Sequence, residues 1–285
     1  MTPIIEVKDL CHTYSVGTPF RHDAVKLMNF SVEKGEFLGI IGHTGSGKST
    51  LMQHLNGLLK PTGGDVLLNG ESIWKDKQST RAARFRVGLV FQYPEYQLFE
   101  DTVYKDISFG PRNMGCSEEE IRRRVLRAAD FVGLPKDALE KSPFDLSGGQ
   151  KRRVAIAGVI AMEPEIVIFD EPTAGLDPAG CEAILENIRR YRQETGATVL
   201  MVSHSMDDVA LLADRLLVLN EGAVEMLGTP SEVFAHAARL QEIGLTVPQV
   251  TALFLRLREL GLPVEPATYT MEAALRQLRG LKGGK

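Results

Sequence analysis

The sequence predicts an α/β fold with a buried parallel sheet, an inserted helical subdomain and a helical extension at the C-terminus. An apolar run at residues 36–41 leads directly into the Gly-rich segment 42–50, which is the strand–loop–helix order of phosphate-loop folds. Two short β-branched runs, residues 166–169 and 199–202, each precede polar residues, as buried parallel strands do. After residue 228 the pattern is helical.

The first third of the chain alternates strands with a helix. Residues 4–14 and 28–32 predict short strands, and residues 36–41 predict the strand before the Gly-rich loop. A helix is expected over residues 49–57, because Gly57 and then a proline follow its last turn. Residues 87–92 predict a further apolar strand that ends in Gln92.

A helical subdomain is expected at about residues 95–160, inserted within a domain spanning residues 1–228. The pattern over residues 117–133 is helical and rich in charge. One apolar face is predicted there, formed by Ile121, Val125, Leu126 and Ala129. A second helix is expected over residues 150–161.

The chain closes with a hairpin and a helical extension. Residues 216–219 and 222–227 predict the hairpin, and residues 229–285 form the extension. Helices are expected over residues 230–241, 247–260 and 271–281. The apolar residues at helical spacing in the second of these are Val250, Leu253, Phe254, Leu257 and Leu260.

Composition excludes several classes of protein. The 285 residues carry a formal charge of −4, so a basic surface for nucleic acid is not expected. Cys11, Cys116 and Cys181 form no metal-binding spacing and predict free thiols in a reducing compartment such as the cytoplasm. The apolar runs are much shorter than the ~20 residues of a membrane span, so a membrane role requires a partner.

The segment GHTGSGKST, residues 42–50, predicts a site for a nucleoside triphosphate. Its glycines allow a tight turn whose backbone N–H groups point at phosphate oxygens. Lys48 is expected to bridge the β- and γ-phosphates, and the hydroxyl of Ser49 to bind Mg²⁺. The candidate nucleotide-binding residues in this loop are Gly42, Gly45, Ser46, Gly47, Lys48, Ser49 and Thr50.

Two adjacent carboxylates end the strand at residues 166–169. Two adjacent carboxylates repel each other when both are ionised. They are expected side by side only if a cation binds one of them or a proton is transferred to the other. Asp170 is therefore predicted to hold Mg²⁺ and Glu171 to act as the base that polarises the attacking water. Taken alone, the pair could be a solvated turn, but the phosphate loop upstream argues against that alternative.

The segment LSGGQ, residues 146–150, predicts a second anion site at a helix N-terminus. Ser147 is a candidate N-cap, and Gly148, Gly149 and Gln150 follow it. An ordinary capped helix remains an alternative. Because one chain has one triphosphate, already held by its own loop, this second site suggests that two chains share each nucleotide.

Three single residues are weaker candidates. His204 follows the strand at residues 199–202 and could contact the γ-phosphate and the attacking water. Gln92 could reach Mg²⁺ or that water, and Tyr14 could stack on adenine. Each also has a structural alternative, since a lone histidine, glutamine or tyrosine is commonly part of an ordinary fold.

In their order along the chain, these motifs resemble the full set of ATP-binding cassette ATPases. The resemblance covers about residues 4–228 and includes AGLDP at residues 174–178. It implies a RecA-like phosphate-loop NTPase core, and a head-to-tail dimer with ATP between the phosphate loop of one chain and LSGGQ of the other. Asp177 would then couple the two sites across the dimer interface.

Residues 91–115, with the stretches 153–165 and 172–178, are similar to the energy-coupling factor transporters, importers of vitamins and transition metals. GTPF at residues 17–20 is more like their second-type ATPase. The resemblance implies a sibling ATPase, a transmembrane coupling protein, an exchangeable substrate-binding membrane subunit, and a peripheral location at the cytoplasmic face of the cell membrane. The coupling helices would dock near the aromatic residues Tyr93, Tyr96, Phe99 and Tyr104, whose alternative role is packing in the core of the helical subdomain.

Two other functions remain open at this stage. A homodimeric cobalt or nickel importer ATPase uses nearly the same motifs. A soluble cassette protein of DNA repair or translation is disfavoured by the acidic pI near 5.9 and by the lack of a long coiled-coil insertion. The transported substrate is not encoded here, because its recognition would lie in another polypeptide.

Overall fold

The computed structural model describes residues 3–282. Their strands are β1 (Ile5–Tyr14), β2 (His22–Val32), β3 (Phe37–Gly42), β4 (Gly63–Leu68), β5 (Glu71–Ser72), β6 (Val87–Val90), β7 (Ile166–Asp170), β8 (Thr198–Val202), β9 (Arg215–Asn220) and β10 (Ala223–Gly228). Their α-helices are α1 (Lys48–Leu55), α2 (Lys77–Arg86), α3 (Val103–Asn113), α4 (Glu118–Phe131), α5 (Gly148–Ile160), α6 (Pro178–Thr195), α7 (Met206–Leu212), α8 (Pro230–Ala235), α9 (Ala237–Glu242), α10 (Gln249–Glu259) and α11 (Met271–Lys282).

The central sheet has six strands in the order β10-β9-β3-β8-β7-β6. Strands β6, β7, β8, β3 and β9 run parallel, and β10 pairs antiparallel with β9 as the predicted hairpin. Strands β3, β6 and β8 are buried along their whole length. Their near-continuous apolar sequences follow from this burial, because both faces of the sheet are covered.

Alternate residues of the central sheet enter two separate hydrophobic clusters. In β3, Leu38 and Ile40 face the cluster that also contains β1 and α1, whereas Phe37 and Ile41 face the helical side. The first cluster is closed by a second, antiparallel sheet in the order β2-β1-β4-β5. The parallel sheet is thus the middle layer, and its carboxyl ends carry the loops that hold the predicted motifs.

Helices α3, α4 and α5 form the inserted helical region on the far side of the sheet. Ser117 caps α4, and Ile121, Val125 and Ala129 are buried as predicted. Leu126 was wrongly placed on the buried face, because it is 39% exposed and Ala128 packs inward in its place. Ala128 lies seven residues after Ile121, which puts it on the same face of the helix.

The extension differs from the prediction in one helix. The expected helix over residues 230–241 is interrupted at His236, so that α8 and α9 are separate. The break lets Phe234 of α8 and Leu240 of α9 both pack into the main cluster. Helices α10 and α11 form their own small core around Phe254, while Leu253 and Leu260, expected on the same apolar face, are exposed.

Candidate functional site

The Gly-rich loop connects β3 to α1 and depends on two glycines for its close approach to neighbouring backbone. Gly47 has φ +96°, and a Cβ atom there would lie 2.5 Å from the carbonyl oxygen of Ala24. At Gly42 a Cβ atom would lie 2.6 Å from the carbonyl oxygen of Leu219. The loop is therefore clamped between β2 and the end of β9, and only glycine fits at these positions.

Lys48 is the cation of this loop and is almost fully buried. Its Nζ donates to the carbonyl oxygens of Gly42 at 2.6 Å and His43 at 2.9 Å. Burial lowers the pKa of the Lys48 ammonium, and the nearby carboxylates of Glu171 and Asp170 oppose that shift. The ammonium thus lies beside both predicted acids.

Asp170 ends β7, and Glu171 follows it in a different environment. Burial, followed by the negative charge of Glu171, raises the pKa of the Asp170 carboxyl, and the charge of Lys48 and a hydrogen bond from Ser49 oppose the shift. Glu171 lies outside the strand with φ +50°, a conformation rare for a residue with a side chain. Its backbone N–H donates to the carbonyl oxygen of Val202 at 3.0 Å, which holds this turn against β8.

Glu171 is where the predicted catalytic residues meet. Nε2 of Gln92 donates to its Oε2 at 3.0 Å, and Nε2 of His204 lies 2.8 Å from its Oε1. Gln92, Glu171 and His204 follow the ends of three different strands, β6, β7 and β8. The structure therefore brings Gln92, Glu171 and His204 together, with Lys48 and Asp170 beside them.

The chemistry of three side chains fits a magnesium ion. Ser49, Asp170 and Gln92 offer a hydroxyl, a carboxylate and an amide oxygen, and Mg²⁺ prefers oxygen ligands of this kind. The hydroxyl of Ser49 lies close enough to the Asp170 carboxyl to lower its pKa, so two of the three predicted ligands are adjacent. The amide nitrogen of Gln92 faces Glu171, which leaves its oxygen as the atom suited to a cation.

Tyr14 ends β1 at the border of the phosphate loop. Its hydroxyl lies 3.3 Å from Oγ1 of Thr50, and the residue is 38% exposed. The ring of His12 packs edge-on against it at 4.4 Å, and the ring of His54 lies behind His12 at 4.8 Å. The exposed face of Tyr14 is therefore supported from the core, and a planar base could stack there.

The LSGGQ segment forms the exposed N-terminus of α5. Ser147 and Gln150 form a reciprocal capping box, as the N-cap prediction requires. Gly148 and Gly149 are exposed, and an added Cβ atom at either would meet no atom of this chain within 4 Å. Asp177, predicted to couple two chains, caps α6 within its own chain by accepting from the N–H of Gly180 at 2.7 Å.

One buried ion pair was missed by the sequence reasoning. Arg152 of α5 donates to both carboxylate oxygens of Glu95 at 3.0 and 2.7 Å, and to the carbonyl oxygen of Ala174 at 2.7 Å. It also packs its guanidinium over the ring of Tyr93. The arginine joins the segment after Gln92 to the segment after Glu171. The spacing of 57 residues between its partners gives no local signal of this contact.

An apolar groove of about 450 Å³ lies between the phosphate-loop side of the fold and the helical region. Phe99 and Phe109 line it with their rings 5.0 Å apart and more than two fifths exposed, and Leu58 lies beside them. Tyr93 and Tyr96 are also exposed, so they are not core residues, whereas Tyr104 packs against the main cluster.

Comparison with known proteins defines the class. Residues 25–174 match the ABC transporter family. Among solved structures, cbiO1 from Clostridium perfringens, described as part of the ABC transporter complex cbiONQ, has a TM-score of 0.75 and 40% identity. It covers 92% of this chain and 98% of its own. A dimeric ATP-binding cassette in a post-hydrolysis state, bound to ADP and Pi, has a TM-score of 0.71 and 31% identity over 79% of this chain.

Curated relatives narrow the class further. The energy-coupling factor transporter ATP-binding protein EcfA2 of Caldanaerobacter subterraneus is 54% identical over 98% of this chain and 99% of its own length. The protein of the same name from Clostridium perfringens is 54% identical over 95% of each chain. This chain belongs to the ABC transporter family and, within it, to the second-type ATPases of energy-coupling factor transporters. The predicted class, fold and ATPase activity are thereby confirmed.

The structure adds one observation about the membrane. Between residues 3 and 282, none of the helices combines the length and the apolar character that crossing a bilayer requires.

Proposed function

We propose that this chain hydrolyses ATP at a composite site, formed by its own phosphate loop and the LSGGQ segment of a partner ATPase. The observation that carries the proposal is the position of Glu171, whose two carboxylate oxygens contact Gln92 and His204 beside Lys48. A base, two side chains that orient it and a phosphate-binding cation are the parts that hydrolysis of a γ-phosphate requires.

Each residue has a distinct role in this proposal. Glu171 takes the proton of the attacking water, and His204 holds the carboxylate in place and contacts the γ-phosphate. The loop N–H groups and Lys48 bind the β- and γ-phosphates, while Tyr14 stacks on adenine. Bound Mg²⁺, held by Ser49, Asp170 and Gln92, would neutralise charge on the phosphate oxygens.

The proposed partners follow from the groove and from the relatives. The exposed rings of Phe99 and Phe109 offer a docking site for a helix of a transmembrane coupling protein. A sibling ATPase would complete the dimer, and an exchangeable membrane subunit would bind the substrate, a vitamin or a transition metal. The chain would then be peripheral, at the cytoplasmic face of the membrane, and its dimer closure would drive import.

Substitution of the base tests the catalytic assignment. Glu171→Gln should bind MgATP with near wild-type affinity but hydrolyse it at least about 100-fold more slowly, because a general base is lost. Glu186→Gln is the matched control, since Glu186 is exposed and pairs only with Arg189 on α6. Isothermal titration and phosphate release measure the two properties. Normal turnover by Glu171→Gln would overturn the assignment.

Purification from detergent-solubilised membranes tests the partners. The tagged chain should recover a sibling ATPase and integral membrane proteins identifiable by mass spectrometry. Charge substitutions at Tyr96, which is exposed, and at Leu98, which lines the groove, should uncouple ATPase from transport and leave nucleotide binding unchanged. Recovery of this chain alone would favour the homodimer, and transport by the charged variants would place the docking site elsewhere.

A further inference from the structure

A chain of polar contacts joins the phosphate loop to the C-terminal extension. Nε2 of His43 lies 3.2 Å from Oδ1 of Asn220, at the end of β9. Nδ2 of Asn220 donates to Oε2 of Glu225 in β10 at 3.1 Å. Nε of Arg239 in α9 then donates to Oε1 of Glu225 at 2.7 Å. Four side chains therefore connect the loop to the extension through both strands of the hairpin.

Glu225 fixes the orientation of the Asn220 amide. The hydrogen bonds from Arg239 and Asn220 hold the pKa of the Glu225 carboxyl below its ordinary value, so that it is ionised at neutral pH. An ionised carboxylate only accepts hydrogen bonds, which means that the amide nitrogen of Asn220 faces Glu225 and its oxygen faces His43. The acceptor presented to His43 is thus set by an ion pair with the extension.

The ring of His43 has an oxygen acceptor beside each of its nitrogens. Nδ1 lies 2.7 Å from the carbonyl oxygen of Thr44, and Nε2 faces Asn220. Each ring nitrogen therefore faces an oxygen, and the nitrogen that carries the hydrogen donates to its oxygen. The backbone of the same residue accepts from Nζ of Lys48 at 2.9 Å. A change in the position of His43 would therefore move a carbonyl group that holds the loop lysine.

The hairpin also supports the loop through its backbone. Gly222, in the β9–β10 turn, accepts from the N–H of Lys26 at 2.7 Å. A Cβ atom on Gly47 of the loop would lie 2.5 Å from the carbonyl oxygen of Ala24 and 3.6 Å from Cα of Gly222. The turn, β2 and the loop are therefore in close contact, and this packing leaves little space to absorb a shift of the hairpin.

We propose that His43, Asn220, Glu225 and Arg239 are positioning residues through which the C-terminal extension sets the conformation of the phosphate loop and so its affinity for ATP. The proposal gives the extension a role in nucleotide binding within one chain. It rests on the role given to the phosphate loop under Proposed function.

The first test is MgATP binding by the full-length chain, measured by isothermal titration calorimetry. Arg239→Ala should raise the dissociation constant by about threefold to tenfold, because one charge-assisted hydrogen bond of the chain is lost. Arg239→Lys should restore most of the affinity. Arg256→Ala is the matched control, because Arg256 makes an exposed pair with Glu259 within α10, and its affinity should equal that of the wild type.

A double variant separates positioning from general destabilisation. If Arg239 acts through His43, then His43→Leu combined with Arg239→Ala should bind MgATP no more weakly than His43→Leu alone. Additive losses, or wild-type affinity in Arg239→Ala, would overturn the proposal. Thermal unfolding of each variant checks folding, and Glu225→Ala, which removes both acceptor oxygens of the chain, replaces Arg239→Ala if that variant does not fold.

Lys48→Ala distinguishes this inference from the proposed function. If Lys48→Ala loses MgATP binding, the measured binding takes place at the phosphate loop. Wild-type affinity in Arg239→Ala would then refute the role of the extension and leave the proposed function standing. If the wild type fails to bind MgATP, or Lys48→Ala binds equally well, the proposed function fails and this inference fails with it.

Discussion

Replacing Arg152 with methionine should lower the free energy of unfolding by about 3–5 kcal/mol, the range measured when one partner of a buried ion pair is removed. Arg152 is 2% exposed, and its guanidinium makes two hydrogen bonds to Glu95, at 3.0 and 2.7 Å. It also donates to the carbonyl oxygens of Pro172 and Ala174, at 3.3 and 2.7 Å. Methionine keeps the packing volume but leaves the Glu95 carboxylate and two carbonyl groups without this donor.

Two comparison variants give the scale. Glu95→Gln keeps an acceptor for Arg152 and avoids a buried unpaired carboxylate, so it should cost only about 1–2 kcal/mol. Arg189→Met removes an exposed pair with Glu186 on α6 and should cost less than about 1 kcal/mol. From most to least stable, the expected order of the variants is Arg189→Met, Glu95→Gln and Arg152→Met.

Urea unfolding followed by far-UV circular dichroism measures these differences. A loss below about 1 kcal/mol in Arg152→Met, equal to that of Arg189→Met, would refute the reasoning. ATP hydrolysis is a second readout. Because Arg152 holds the segments next to both Gln92 and Glu171, the folded fraction of Arg152→Met should still hydrolyse ATP more slowly than the wild type.

The same ion pair should respond to acid. Burial disfavours the charged form of Glu95, but the hydrogen bond and the charge of Arg152 outweigh it and hold the pKa of the carboxyl below its ordinary value. The pair therefore stabilises the fold above the ordinary glutamate pKa of about 4.3, and this contribution is lost as the pH falls through the lowered pKa. In Glu95→Gln this part of the acid dependence should be absent.

Two further predictions concern the partner site and the support of Tyr14. Gly149→Ala should leave stability unchanged, because an added Cβ atom meets nothing within 4 Å, yet it should reduce ATP hydrolysis by the paired enzyme; equal activity would argue against a shared site. Burial lowers the pKa of His54 to about 4. Between about pH 6.5 and pH 4, the unfolded chain therefore binds a proton at His54 that the folded chain does not. Lowering the pH through this range should reduce the free energy of unfolding by about 3 kcal/mol. His54→Leu should flatten the urea-derived pH profile; an unchanged slope would contradict the assignment.

Local patterns made much of the fold predictable. The order of strand, Gly-rich loop and helix depends on neighbouring residues, and β3 and α1 lie within two residues of their predicted bounds. Helix α4 was found because its cap and its apolar spacing are both local signals. Helix α3 was not predicted, because a proline inside a segment argues against a helix. Pro111 is tolerated because it lies in the last turn of α3, where it removes only one helical hydrogen bond.

Side-chain partners were harder to predict. The residues that meet at Glu171 could be expected together, because the carboxyl ends of parallel strands lie at one edge of a sheet. The sequence could not predict that Gln92 and His204 each contact one oxygen of the Glu171 carboxylate. This arrangement depends on the left-handed backbone at Glu171. The break at His236 has a similar cause, because packing of both halves into the main cluster outweighs helix continuity.

The sequence by itself determined the class of this protein, because phosphate binding, the paired carboxylates and LSGGQ each reside in a short contiguous segment whose chemistry needs those residues in that order. Tertiary structure alone decided how the segments are connected. Arg152 meets Glu95 across 57 residues, and His43 meets Asn220 across 177. Contacts of this kind form only after the strands have assembled, because burial then removes competing water and makes an unpaired charge costly.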